Sequence, residues 1–462
     1  MRLAGRMTNG LSDTRMNRIL LLLGVLAGTL LQGCSGESAF PEATGKGTVR
    51  AINAIESSPS IAFLIEQRSI ASVDYKNATG AQQYDDLEYR FNFETVFPGS
   101  GRERIASRLV DVIADKDYTF VLSGRLANPT VTLWEGDVRT FSEGDTVFET
   151  RFAHTAGSVG DIDAYFAAPG VDPALGQQVA TLSFGDISPA VDYSEGEYVL
   201  IITEAGDPSA VVFTSGTIEP DVRSAFIISI FDGDANDLGD VSVRFFSTAG
   251  GTLRIVDANL PPTVRFFHAS TALGTSDIYV GDPAVDPPVV TDHAFGDFTG
   301  DIPITAGANA LTYTATGGTA VILFEEDRTF AVGNHNHYYV IGETDALTAI
   351  AGVPDRRSVE TFVKFTILHA AANHDLVDFY LVEADADIAE FSPAFFGIPF
   401  GTGPLDLTLA EGSFDLYLTV PGEKTIIAGP VRVDAALGDV IDAIALDTVD
   451  PATADIVLIP LP

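Results

Sequence analysis

Three histidines recur in a shared setting: Arg151-Phe152-Ala153-His154, Arg265-Phe266-Phe267-His268 and, more loosely, Thr366-Ile367-Leu368-His369. Nine residues after each comes an aspartate and, two further on, a tyrosine: Asp163 and Tyr165, Asp277 and Tyr279, Asp378 and Tyr380. An imidazole beside a carboxylate is how general bases are oriented, so the pattern invites a catalytic reading. It lacks a third member. No serine or cysteine accompanies the pair at fixed spacing, and Gly-x-Ser-x-Gly and His-Glu-x-x-His are absent. Strand alternation puts His154 on the face of Phe152, while Asp163 and Tyr165 lie opposite Ile162, Ala164 and Phe166. Recurrence across copies tracks shared fold before shared chemistry. The expectation is therefore structural, with histidine closing a strand end through hydrogen bonds, and no enzymatic activity.

Cation chemistry is suggested elsewhere. In Asp232-Gly233-Asp234-Ala235-Asn236-Asp237-Leu238-Gly239-Asp240, the residues Asp232, Asp234, Asn236, Asp237 and Asp240 bring several oxygens into one loop, suited to a hard ion such as calcium. The loop departs from an EF-hand: Asp237 stands where the turn glycine belongs, and Val243 takes the place of the bidentate glutamate. A solvated acidic hairpin is the alternative. His335 and His337 alternate along a strand and share a face, as transition-metal ligands do, but no third ligand is close in sequence. Tyr338, Tyr339, Phe395 and Phe396 are candidates for a carbohydrate-stacking surface or for half-buried sheet positions.

The elements that carry these residues repeat with them. Phe184-Gly185, Phe295-Gly296 and Phe400-Gly401 are each followed by glycines 11 and then 10 residues on: Gly196 and Gly206, Gly307 and Gly317, Gly412 and Gly422. A degenerate earlier copy reads Thr48-Val49-Arg50-Ala51-Ile52-Asn53, with Asn53 in the histidine place and Ala62 and Leu64 for aspartate and tyrosine. Positions 53, 154, 268 and 369 are 101, 114 and 101 residues apart, a period of domain size and too long for a solenoid unit. Runs such as Thr263-Val264-Arg265-Phe266-Phe267 and Phe414-Asp415-Leu416-Tyr417-Leu418-Thr419-Val420 are short, rich in β-branched and aromatic residues, and bounded by Gly, Pro and Asp. About seven strands in roughly 100 residues is the rhythm of a two-sheet sandwich. The expected fold is all-β: four tandem immunoglobulin-like β-sandwiches at 47–143, 146–260, 261–358 and 361–462.

Val264-Arg265-Phe266-Phe267-His268-Ala269-Ser270, then Asp277-Ile278-Tyr279-Val280 and Phe295-Gly296-Asp297, resemble the domain-of-unknown-function family numbered 4397. The resemblance implies tandem β domains of exported bacterial proteins. It brings no established activity and no site residues.

Export is suggested by the N-terminus as well. Arg2, Arg6, Arg15 and Arg18 precede an apolar run from Ile19 to Leu31, of signal-peptide length and too short to span a membrane comfortably. Leu31-Gln32-Gly33-Cys34 resembles a bacterial lipobox. The resemblance implies cleavage after residue 33, lipidation of Cys34, the sole cysteine, and, with Ser35 following it, sorting to the outer membrane. An ordinary secretory signal or a buried free thiol is the alternative. Residues 34–46 then form a lipidated cysteine and a polar tether. The chain carries a formal charge of −38, and losing residues 1–34 removes four arginines and one aspartate, making it more acidic still. Such a surface repels phosphate backbones and disfavours nucleic acid. The function expected is a lipid-anchored cell-envelope protein whose sandwiches bind or adhere to a protein or glycan. A periplasm-facing scaffold, assembly factor or glycan-binding lipoprotein is the second reading. No cofactor is expected beyond the calcium candidate.

Overall fold

The computed structural model describes residues 42–97, 101–248 and 250–461. Cys34, the apolar leader and most of the tether lie outside them. Among the described residues there is no α-helix, only one 3-10 turn at Ile388–Glu390. Among the described residues no helix is long and apolar enough to cross a membrane.

Among the described residues eight sheets stand in four facing pairs. In the first sandwich the strands are β1 (Lys46–Ala54), β2 (Ile61–Ile65), β3 (Arg68–Val73), β4 (Gln82–Asp85), β5 (Glu88–Phe97), β6 (Gly101–Asp111), β7 (Lys116–Arg125) and β8 (Asn128–Asp137). One sheet runs β4-β1-β7-β8 and its partner β3-β2-β5-β6. The same order recurs in the strands of 147–255, 263–352 and 363–460, the second sandwich adding a ninth strand at Thr252–Ile255. The chain is thus a tandem array of β-sandwiches, and the degenerate first copy has the full strand set. Strand order refines the immunoglobulin-like expectation. Each unit has eight strands or more, and its first strand lies parallel to its seventh, Thr48 opposite Asp117 and Ala54 opposite Ser123 in the first. Seven strands with sheets ABED and CFG is the constant-type pattern.

Each sandwich closes on its own apolar core. In the first, Phe63 stacks on Phe91 and Phe93 at 5.7 and 5.2 Å between centroids, with Phe120 across from them. The first and seventh strands are largely buried on both faces. Their second face meets another domain. Ile52, Val121 and Trp134 of the first sandwich pack against Ala153, Ile227, Phe231 and Phe246 of the second. Phe267, Tyr339 and Ile341 of the third likewise pack against Leu368, Ile444 and Leu446 of the fourth. The array is two back-to-back pairs.

Candidate functional site

The repeated histidines are the simplest place to ask whether spacing meant chemistry. His154 Nε2 lies 2.9 Å from the Gly160 carbonyl, His268 Nε2 2.7 Å from Gly274 and His369 Nε2 2.8 Å from His374. Each ring bridges its strand end to the loop just beyond it and donates to a carbonyl there. The Phe-Gly pair closes the same joint. Gly185, Gly296 and Gly401 donate their N–H to the three histidine carbonyls at 2.8, 2.9 and 2.9 Å. Phe184, Phe295 and Phe400 set their rings edge-on to the imidazoles at 6.3, 6.3 and 6.0 Å. These glycines sit at φ of 90°, 86° and 77°, a backbone state that costs a side-chain-bearing residue roughly 1–2 kcal/mol.

The aspartates do different work. Asp163, Asp277 and Asp378 are buried, and one oxygen of each accepts the N–H of a hairpin glycine: Gly206 at 2.8 Å, Gly317 at 2.9 Å and Gly422 at 2.8 Å. The second oxygen takes the Thr181 hydroxyl, the Asp292 N–H or the Gly397 N–H. Histidine and aspartate of one copy therefore serve separate joints and share no hydrogen bond. Burial pulls the His369 pKa down to about 4, against the carbonyl of His374. A histidine kept neutral in the fold but free to charge when unfolded contributes stability that is lost as pH falls from about 6.5 toward 4. Denaturant titration across that range should show this slope in the parent chain and a flatter one in His369→Gln.

In the first copy, Asn53 replaces the histidine and donates through Nδ2 to the Ser58 hydroxyl at 2.8 Å. Tyr75-Lys76-Asn77 stands in the Phe-Gly place, with the Lys76 N–H on the Asn53 carbonyl at 2.9 Å. Lys76 takes φ 61°, where the other copies use glycine. Its side chain crosses into the second sandwich and enters the acidic loop. There Nζ bonds to Asp237 and lies 3.1 Å from Asp234, lysine and carboxylates all more than nine-tenths buried.

This pairing bears directly on the calcium expectation. Asp232 spends its two oxygens on the N–H groups of Ser158 and Gly157, at 2.7 and 2.9 Å. Asp234 divides between Lys76 and the Asn236 N–H. The Asn236 side-chain oxygen accepts the Arg356 N–H at 2.6 Å. Asp237 also lies 3.3 Å from Arg254 and takes the Ser242 hydroxyl at 3.1 Å. Asp240 is exposed, and its carbonyl accepts the Gly233 N–H. An ammonium from a distant domain occupies the centre where a cation was expected. Burial acts to raise the Asp237 pKa, but Lys76, Arg244 and Arg254 outweigh it and hold the carboxyl below its ordinary range.

The loop is a hub. Arg254 bonds to Asn334 and Gly333 of the third sandwich, and His335 Nε2 lies 3.3 Å from the Asp237 carbonyl. Asn236 donates to Asp355, while Arg357 reaches the carbonyls of Glu56 and Ser58 in the first sandwich. His335 and His337 do share a face, but His337 turns to Tyr339 at 3.1 Å and Asp442 at 3.5 Å. Among the described residues no group of three or more His, Cys, Asp or Glu could hold a metal ion. Tyr338 and Tyr339 are buried; of the four aromatic candidates only Phe396 is widely exposed. What sequence reasoning missed is Lys76, whose one signal was a lysine in a glycine's place.

Residues 262–380 match the sequence profile of the family described as a domain of unknown function, DUF4397. The match spans the third sandwich and enters the fourth. Comparison with curated proteins gives no match. Among solved structures, the Bacillus anthracis TIE protein is similar over 88% of this chain and 69% of its own, at 11% identity and a TM-score of 0.15. A product complex of a multi-modular glycogen-degrading pneumococcal virulence factor, SpuA, is similar over 62% of this chain and 38% of its own, at 10% identity and a TM-score of 0.13.

Proposed function

We propose that this chain is a non-catalytic, lipid-anchored protein of the cell envelope that holds a multi-domain binding surface away from the outer membrane. The observation that carries the reading is that the recurring histidines, aspartates and glycines each serve the fold. The histidines, aspartates and glycines that recur from copy to copy close strand ends and hairpins. The surfaces and clefts between copies are left for recognition, which is where binding proteins of repeated domains place their variable residues. The leader-like run before Cys34 supports the anchor, and several acyl chains on one residue would hold it durably.

Replacing Cys34 by serine should move the protein from the membrane fraction to a soluble one, read by fractionation and immunoblotting; continued membrane retention would sink the anchor. Protease treatment of intact cells separates the two orientations. A surface-exposed binder is cleaved, whereas a periplasm-facing scaffold is protected until the outer membrane is opened.

A further inference from the structure

The back-to-back packing of the first two sandwiches leaves a cleft of about 580 Å³, within the range of small-molecule sites. Arg50 and Arg151 occupy the same place in their repeats, three residues before the anchor position, and both line it. Arg139 and Arg223, more exposed, line it too. Four arginines line this opening, alongside the carboxylates Asp117, Glu135, Asp137 and Glu149.

Their partners leave donors to spare. Arg50 is 2% exposed; its Nη2 donates to both Asp117 oxygens at 2.7 Å, while Nε and Nη1 are buried with no partner. Unpaired buried donors are costly. Arg151 spends Nε on the Ser188 carbonyl and Nη1 on that of Glu135. Burial lowers its pKa, with Arg50 pushing the same way against Asp117 and Glu149. The acids at the cleft are partly engaged, Asp117 by Arg50, Asp137 by Lys116 and Glu149 by Arg139 at 3.8 Å, while Glu135 is exposed and Arg139 also bonds to Asp192 at 2.9 Å. Phe141 and Phe226 supply apolar wall.

The second pair of sandwiches meets differently at the corresponding place. Arg265 holds the corresponding position, but that interface is filled by Phe267 and Tyr339. The opening beside His337, Tyr339 and Asp442 measures about 20 Å³, room for a single water.

We propose that the cleft between the first and second sandwiches binds the carboxylate of a small organic acid with a flat body. Arg50 and Arg151 hold the anionic group, Arg139 and Arg223 draw it in, and Phe141 and Phe226 pack against the ring. Guanidinium groups suit carboxylates through charge-assisted hydrogen bonds. The proposal deepens the binding role proposed above, and its test is independent of the anchor.

Calorimetric titration of the detergent-purified full chain with benzoate and with glucuronate, against benzyl alcohol, glucose and sulfate, decides it. At least one of the two acids should bind saturably and its uncharged counterpart should not. Affinity should fall at least tenfold in Arg151→Gln and in Arg223→Gln. Arg223 is exposed, so its variant should keep the parent melting temperature and separate lost binding from lost folding. No saturable binding by either acid, equal binding by sulfate, or unchanged affinity in both variants would overturn it. Membrane localisation would be untouched by any of these results.

Discussion

Replacing Lys76 by methionine should destabilise the folded chain by about 3–5 kcal/mol at neutral pH, the usual cost of removing one partner from a buried ion pair. The variant keeps most of the apolar stem but leaves Asp234 and Asp237 without the ammonium they surround. The pH dependence identifies the cause. In the parent, Asp237 is held below its ordinary range, so its contribution is present above about pH 4 and is lost as pH falls further. In the variant the uncompensated carboxylates prefer to be neutral, so the deficit should shrink as pH falls from 7 toward 4. Denaturant melts at several pH values check both signs. A deficit independent of pH would mean that the side chain matters only for packing. The hub should also loosen in the variant, because the same loop meets the third sandwich and the linker at Asp355 and Arg356.

A second large effect is expected at Trp134, the chain's only tryptophan. It is buried between the first two sandwiches, against a cluster that includes Phe231 and Phe246, and its indole N–H donates to the Gly185 carbonyl at 2.9 Å. Trp134→Ala should cost about 3–5 kcal/mol by opening a large cavity. The loss falls on docking rather than on either fold, since the two sandwiches have separate cores. Calorimetry should therefore show the first pair melting in two steps where the parent melts in one. Trp134→Phe, which retains the apolar contact and loses only the hydrogen bond, should cost about 1 kcal/mol. In the parent, tryptophan emission reports this interface alone.

The repeats were legible in the sequence because they encode local joints. A histidine reaches a carbonyl five or six residues on, and an aspartate reaches a hairpin glycine held at a near-constant spacing, so both leave a periodic trace. Strand alternation placed His154 with Phe152 for the same reason, since the pleat repeats every two residues. The acidic loop was visible as a cluster of oxygens but not as a lysine site. Its partner lies some 160 residues earlier, in the copy where the motif is most degraded. Local ligand count cannot tell an ion from an ammonium, because both satisfy the same carboxylates.

Strand rhythm, period and charge already pointed to tandem acidic β-sandwiches, since each is a property of short segments or of composition. Tertiary structure decided how the sandwiches meet. Strands that look like core on both faces are core on both faces because a second domain covers the outer one. The same docking turns Arg50 and Arg151, which alternation alone would place on an outer face, into the lining of a shared cleft. Burial between domains, which no local spacing records, is what gives those arginines their chemistry.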